Sequence, residues 1–190
     1  RPDAVILVDY PGFNLRLAKK LKAQGLKVIY YVSPQVWAWK ASRVKLIKKV
    51  VDRMIVLFPF EQEFYARHGF EADFVGHPLV DEVRAELGPA QFRKKTGLNE
   101  KERVVGLLPG SRQKEVSRHL PLMLKAAARI RKERPGTQFL LLRARNLPEP
   151  VFTPILKSSP CPVTVTEDYY NALNACDACI VSSGTATLET

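Results

Sequence analysis

Apolar runs of strand length alternate along the chain with segments whose apolar positions recur at helical spacing. Residues 4–9 (AVILVD) predict a buried strand, and Phe13, Leu17 and Leu21 then mark one face of a helix ending near Gly25. KVIYYVS (27–33), RMIVLF (53–58) and ADFVG (72–76) predict further strands, separated by helical segments around 42–50 and 60–68. That order, βαβαβαβ, predicts a parallel sheet with helices on both faces.

Between residues 79 and 102 the pattern lapses into a polar stretch with Gly-Pro, Thr-Gly and mixed charge, which predicts a connector with a short helix. A second alternation follows: strand RVVGLLPG (103–110), a long helix over 113–134, strand TQFLLLRA (137–144), a Pro-bounded helix, strand VTVTE (163–167), a helix at 168–175 and strand ACIVSS (178–183). The long helix places Val116, Leu120, Met123, Ala127 and Ile130 on one side and Arg118, Lys125, Arg129 and Lys132 elsewhere, and Pro135-Gly136 stops it. The chain is expected to be α/β, with part of one domain over 1–80, a connector over 81–102 and part of a second domain over 103–190. Ligands of such sheets sit at the carboxyl ends of the strands.

Composition narrows the class. The 190 residues are 46% hydrophobic and 26% charged, the balance of a chain that buries a core. No run of about 18 apolar residues occurs, so no bilayer-spanning helix is expected. Cys161, Cys176 and Cys179 form an odd set without framework spacing, which favours a reducing cytosol. Cys176-x-x-Cys179 has no second CxxC or His pair to complete a tetrahedral site, so packing is expected there and no metal. Of the net charge of +11, 13 Lys/Arg against 7 Asp/Glu lie up to residue 78 and 17 against 12 after it. There is no basic tail, and a spread positive field suits nucleic acid, an anionic membrane or a phosphorylated substrate. Arg1 is not an initiator Met and Thr190 stops inside a predicted helical turn, so the chain is expected to be an internal fragment, inactive by itself.

Two junctions carry the sharpest chemistry. In LLPGSRQKEV (107–116) a strand runs through a Gly-Ser turn into a helix, a geometry that offers free N–H groups and a positive dipole end to an anion. Gly110 permits close approach, and Arg112 adds a bidentate donor for a diphosphate; a plain helix start capped by Ser111 explains the same residues. No GxxxxGK[ST] occurs, which argues against a P-loop triphosphatase. IVSSGTATLE (180–189) repeats the arrangement: Ser182, Ser183, Gly184 and Thr185 offer N–H and hydroxyl donors to a phosphate, and Glu189 is placed to accept two ribose hydroxyls, the alternative being capping by Thr185 or Thr187.

In the first half, LVDYPGFN (7–14) puts Asp9 at the carboxyl end of a strand, where it reads as a general base or as a turn residue, with Asn14 close by. Trp37 and Trp39 in YYVSPQVWAWKASRV (30–44) either pack under a loop or line an acyl or membrane surface. His77 in VGHP faces a cleft or stabilises a turn.

These residues, taken in order, resemble the lipid-A-disaccharide synthase family: VDYPGFN, YYVSPQVWAWK with Arg43, FVGHP, LLPGSR with Glu115, and SSGTATLE. The resemblance covers essentially the whole chain, and SPQVWAW together with LPGSRxxEV is its specific part. It implies a GT-B fold of two Rossmann-like domains, the first taking 2,3-diacylglucosamine 1-phosphate and the second UDP-2,3-diacylglucosamine. The acceptor 6-hydroxyl would invert the anomeric carbon as UDP leaves, with Asp9 as base, Gly110, Ser111, Arg112, Glu115, Ser183, Gly184, Thr185, Ala186 and Glu189 around the donor, and Asn14, Trp37, Trp39, Arg43 and His77 on the acceptor side or cleft. No metal or other cofactor is implied. The partners would be the two lipids and an anionic membrane, at the cytoplasmic face of the inner membrane, with no nucleic acid. The chain departs from the family at Gly12, where many relatives carry a second acid.

Another UDP-sugar enzyme of this fold, a peptidoglycan N-acetylglucosaminyltransferase or UDP-N-acetylglucosamine 2-epimerase, would share the second-half junctions but not SPQVWAW. A basic nucleic-acid-binding module would use the charge, yet no RNP, KH or helix-turn-helix signature is present.

Overall fold

The structure is a computed structural model that describes residues 1–190. It divides into two compact units, Arg1–Val80 and Asp81–Thr190.

The first unit runs β1 (Ala4–Val8), α1 (Pro11–Ala23), β2 (Lys27–Tyr31), α2 (Val44–Val50), β3 (Arg53–Val56), α3 (Pro59–Arg67) and β4 (Ala72–Phe74). The strands pair in parallel in the order β1-β2-β3-β4, so each crossover steps in the same direction. Right-handed crossovers that all step one way lay their helices on one side of a sheet. Leu15 and Ala18 of α1, Val44, Ile47 and Val50 of α2 and Tyr65 of α3 accordingly share a single core with Leu7, Val28, Tyr30, Met54 and Val56. This corrects the expectation of helices on both faces. It also corrects the buried first strand: Leu7 points into the core, but Ile6 and Val8 on the other face are 62% and 53% exposed. Leu17 and Leu21 pack on the core as expected; Phe13 is exposed and stacks on Tyr10 instead, with ring centroids 6.3 Å apart.

A four-residue helix, α4 (Leu79–Glu82), spans the boundary, and α5 (Pro89–Lys95) leads into the second unit. The stretch 81–102 is not free. Phe92 and Leu98 are buried beneath it, and the Arg93 guanidinium donates to the Ala175 carbonyl (2.7 and 3.0 Å) and pairs with Asp177 (2.9 Å).

The second unit continues with β5 (Val104–Leu108), α6 (Gln113–Glu133), β6 (Gln138–Leu142), α7 (Thr153–Lys157), β7 (Thr164–Thr166), α8 (Tyr169–Ala175), β8 (Ala178–Val181) and α9 (Ala186–Glu189). Its order, β7-β6-β5-β8, reverses direction after β7. The reversal is what places helices on both faces. Leu107, Phe139 and Leu141 face α6 and α7, while Val104, Leu108, Leu140 and Leu142 face α5 and α8. The α6 stripe is Val116, Leu120, Met123, Leu124 and Ala127, all buried, with Ile130 partly so. Burial of each Leu or Met there contributes about 1.5–3 kcal/mol.

Candidate functional site

A strand order that reverses leaves a crevice at the carboxyl ends of the two strands flanking the reversal, here β5 and β8. A cleft of about 750 Å³ lies there, entirely within the second unit. It collects nine residues that sequence reasoning had singled out: Gly110, Ser111, Arg112 and Glu115 after β5, and Ser183, Gly184, Thr185, Ala186 and Glu189 after β8.

The first junction is already occupied by a carboxylate of the chain itself. Glu115, one turn into α6, folds back so that Oε2 accepts the N–H groups of Ser111 (3.2 Å) and Arg112 (3.3 Å), while Oε1 accepts Arg112 Nη1 (2.8 Å). These donors hold the Glu115 carboxyl below its usual range, the Arg112 guanidinium most of all. Ser111 is therefore not the cap; Glu115 is. Gly110 has φ 115°, and a Cβ there would lie 2.5 Å from Glu115 Oε2, so only glycine fits. The turn is braced by Asn146 Nδ2 on the Ser111 carbonyl (3.0 Å) and by the His119 ring on the Pro109 carbonyl (3.1 Å).

At the second junction the N–H groups of Ser183, Gly184 and Thr185 donate to nothing in the chain. The Thr187 hydroxyl is spent on the Gly184 carbonyl at 2.6 Å. Glu189 accepts the Tyr170 hydroxyl at 3.3 Å, and the neighbouring Tyr169 phenol is pushed up, by burial first and then by the Glu189 charge.

Several cleft residues carry no motif. Arg143 and Arg145 leave β6, and Glu167 leaves β7; Arg143 Nε donates to Glu167 Oε1 at 2.9 Å and Arg145 Nε to the Glu167 carbonyl at 3.1 Å. Arg84 and Glu86 reach the rim because buried Asn171 accepts the N–H groups of Glu86 and Leu87, both at 2.8 Å. For Arg143, Arg145 and Glu167 the only sequence signal is position, since each follows β6 or β7 at the strand's carboxyl end; Arg84 and Glu86, between α4 and α5, carry none. The cleft thus combines outward N–H groups, exposed arginines and carboxylates, of which Glu115 and Glu167 are paired with Arg112 and Arg143 and Glu189 is bonded only to a tyrosine hydroxyl. That mixture suits a ligand with both an anion and hydroxyls.

In the first unit, the remaining candidates also gather at carboxyl ends of strands. Asp9 and Tyr10, after β1, have φ of 46° and 40°, a left-handed conformation that costs non-glycine residues about 1–2 kcal/mol each. Asn14 Nδ2 donates to the carbonyls of Val8 (2.9 Å) and Asp9 (2.8 Å), and the Tyr30 hydroxyl to that of Asp9 (2.5 Å). The Trp37 ring stands edge-on to Phe60 at 5.0 Å and is 44% exposed, whereas Trp39 is 72% exposed. Arg43 closes a short 3-10 turn before α2. His77 lies 5.4 Å from the Phe58 ring, and its Nδ1 accepts the Leu79 N–H at 3.2 Å, so it stabilises the turn after β4. No cluster of three or more His, Cys, Asp or Glu that could hold a metal is present.

Comparison with known proteins follows the same residues. The family model described as lipid-A-disaccharide synthetase matches residues 1–190. Lipid-A-disaccharide synthases of Geobacter sulfurreducens and Trichlorobacter lovleyi are 48% and 49% identical over 189 residues, which is 99% of this chain and 49% of each relative. The chain spans about half the length of the curated relatives it matches. Among solved structures, UDP-GlcNAc 2-epimerase from Methanocaldococcus jannaschii is similar with a TM-score of 0.57 and 14% identity, over 99% of this chain and 58% of the other. That likeness concerns the fold: α/β with two parallel sheets, resembling GT-B enzymes. With sequence motifs and a family match that both run the length of the chain, the protein belongs to the lipid-A-disaccharide synthetase family.

Proposed function

We propose that the full-length protein transfers 2,3-diacylglucosamine from UDP-2,3-diacylglucosamine to the 6-hydroxyl of 2,3-diacylglucosamine 1-phosphate, with inversion, and releases UDP. The observation that carries this reading is the cleft at the β5/β8 reversal, lined by both strand–loop–helix junctions of a family member. There the free N–H groups of Ser183, Gly184 and Thr185 and the Arg112 guanidinium meet the diphosphate, and Glu189 meets the ribose hydroxyls. Developing charge on the leaving diphosphate is met by preorganised donors.

Asp9 is the general base in this reading. Its carboxylate is exposed and forms no salt bridge, so it is open to an incoming hydroxyl. Asn14, Trp37, Trp39, Arg43 and His77 form the acceptor side. A primary hydroxyl attacks poorly unless its proton leaves as the bond forms, and a placed carboxylate contributes about 10²- to 10⁴-fold. In the full-length protein, Asp9→Asn should lower kcat by that factor with UDP affinity and melting temperature unchanged. Near-normal turnover would make Asp9 a turn residue.

Peripheral attachment to an anionic membrane completes the proposal. No helix is long and apolar enough to cross a membrane. Lys19, Lys20, Lys40, Lys45 and Lys49 are exposed, each able to contribute about 1 kcal/mol near an anionic surface. Sedimentation with anionic vesicles should fall as salt rises; equal sedimentation with neutral vesicles would refute it.

A further inference from the structure

We infer that Asn14 and Tyr30 are positioning residues that hold Asp9 in the one backbone conformation from which its carboxylate serves as base; this rests on the reading of Asp9 given above. The chain leaves β1 and turns at once through two successive left-handed residues, Asp9 (φ 46°) and Tyr10 (φ 40°), neither of them glycine. Such a conformation persists only where the surroundings over-determine it. Here they do. The Asp9 N–H donates to the Tyr31 carbonyl at 3.0 Å, continuing the β1–β2 ladder by one residue. The Asp9 carbonyl accepts both the Tyr30 hydroxyl (2.5 Å) and Asn14 Nδ2 (2.8 Å).

Asn14 is fully committed as a donor. Its amide carries two hydrogens, and the second goes to the Val8 carbonyl at 2.9 Å, so the side chain spans the bend like a clasp and leaves only Oδ1 to meet anything else. Tyr30 is fully buried on the core face of β2, and burial, with smaller effects from Asp9 and Tyr65, pushes its phenol up to about 12. It stays a neutral donor across the working pH range. Every backbone polar group of Asp9 is thus fixed from the protein side. The carboxylate alone is unencumbered.

A purely structural clasp would affect stability without affecting the step in which Asp9 takes a proton. The two roles separate in a double-mutant cycle on the full-length protein, with turnover, the pH profile of kcat, UDP affinity and melting temperature measured for each variant. Asn14→Ala should lower kcat by about 10²-fold, the scale of a catalytic group displaced by an ångström, and leave UDP affinity unchanged. In an Asp9→Asn background the same substitution should lower kcat no further, because there is no base left to misplace, while its effect on melting temperature persists. Tyr30→Phe, which keeps the buried ring and removes only the hydroxyl, supplies a second arm should Asn14→Ala fold poorly, and should show the same non-additivity. Equal loss of kcat in the wild-type and Asp9→Asn backgrounds, or turnover within about twofold of wild type for Asn14→Ala and Tyr30→Phe, would overturn the inference and leave the base reading standing. Full turnover by Asp9→Asn alone would remove both.

Discussion

Glu115 occupies, with its own carboxylate, the Ser111 and Arg112 N–H groups that an anion at the start of α6 would use, and it ties up Arg112 Nη1 at 2.8 Å as well. A diphosphate arriving there meets a negative charge already seated. Arg112 is 81% exposed on its side chain against 31% for Glu115, so their ion pair is cheap to break and the guanidinium is free to follow the stronger anion.

Two variants read this competition in opposite directions. Arg112→Ala should weaken UDP binding by about 2 kcal/mol, because charge-assisted bonds to the diphosphate are lost. Glu115→Gln keeps a side chain able to cap α6 but removes the competing charge, and should tighten UDP binding. Calorimetric titration of the full-length protein checks both; weaker binding by Glu115→Gln would show that the carboxylate helps hold the ligand.

Gly106 lies at the centre of β5, and a Cβ there would meet Cys179 Sγ at 2.8 Å and Cys176 Sγ at 3.0 Å. The two thiols are packed against bare backbone. Gly106→Ala should cost about 1–3 kcal/mol through overpacking, and the cost should shrink when Cys179→Ala opens the space. Denaturant midpoints of the two single variants and the double variant test this, and strict additivity would show that the thiols are not the obstacle.

Asp52 joins α1 to the sheet by pairing with Lys22 and by accepting the Val28 N–H at 2.8 Å. The Lys22 bond, then the Val28 bond, holds its carboxyl below the ordinary 3.8. A carboxyl lowered on folding adds stability that is complete above its unfolded value and is lost as pH falls through the folded one. Asp52→Asn should therefore melt lower than wild type at neutral pH, and the gap should narrow progressively as pH falls below the ordinary carboxylate range. A constant gap across that range would assign the loss to packing.

How much was legible beforehand depended on how local the cause was. The strands and the α6 stripe follow from spacing alone, since Val116, Leu120, Met123 and Ala127 announce their face in sequence. The one-sided cover of the first sheet does not, because it depends on which strands pair, and Ile6 and Val8 look as buried in sequence as Leu7 does. The cleft residues after β5 and β8 stood out through Gly, Ser and Arg at helix starts. Arg143, Arg145 and Glu167 did not, for they become neighbours only through the β6–β7 pairing. The stretch 81–102 looked loose because Phe92 and Leu98 are few among charges, yet Arg93 anchors it to residues more than 80 positions away.

Glu189 separates the ribose reading from the capping one. Its Oε1 accepts the Tyr170 hydroxyl at 3.3 Å, and the residue lines the cleft that also holds Ser183, Gly184 and Thr185. If the carboxylate accepts the two ribose hydroxyls, Glu189→Ala removes charge-assisted hydrogen bonds, about 1.5–3 kcal/mol, or roughly 10- to 100-fold in UDP affinity. Pyrophosphate has no ribose, so its affinity for the same variant should be unchanged, since the junction N–H groups and Arg112 are untouched. Tyr170→Phe, which removes only the hydroxyl that orients Glu189, should lower UDP affinity by a smaller factor in the same ligand-selective way. If Glu189 instead only shapes the turn at α9, its loss disturbs the N–H groups of Ser183 to Thr185, and UDP and pyrophosphate should weaken together. The ratio of the two affinities, measured by calorimetry in the full-length protein, is the deciding quantity: a ratio equal to wild type in Glu189→Ala rules out the ribose contact.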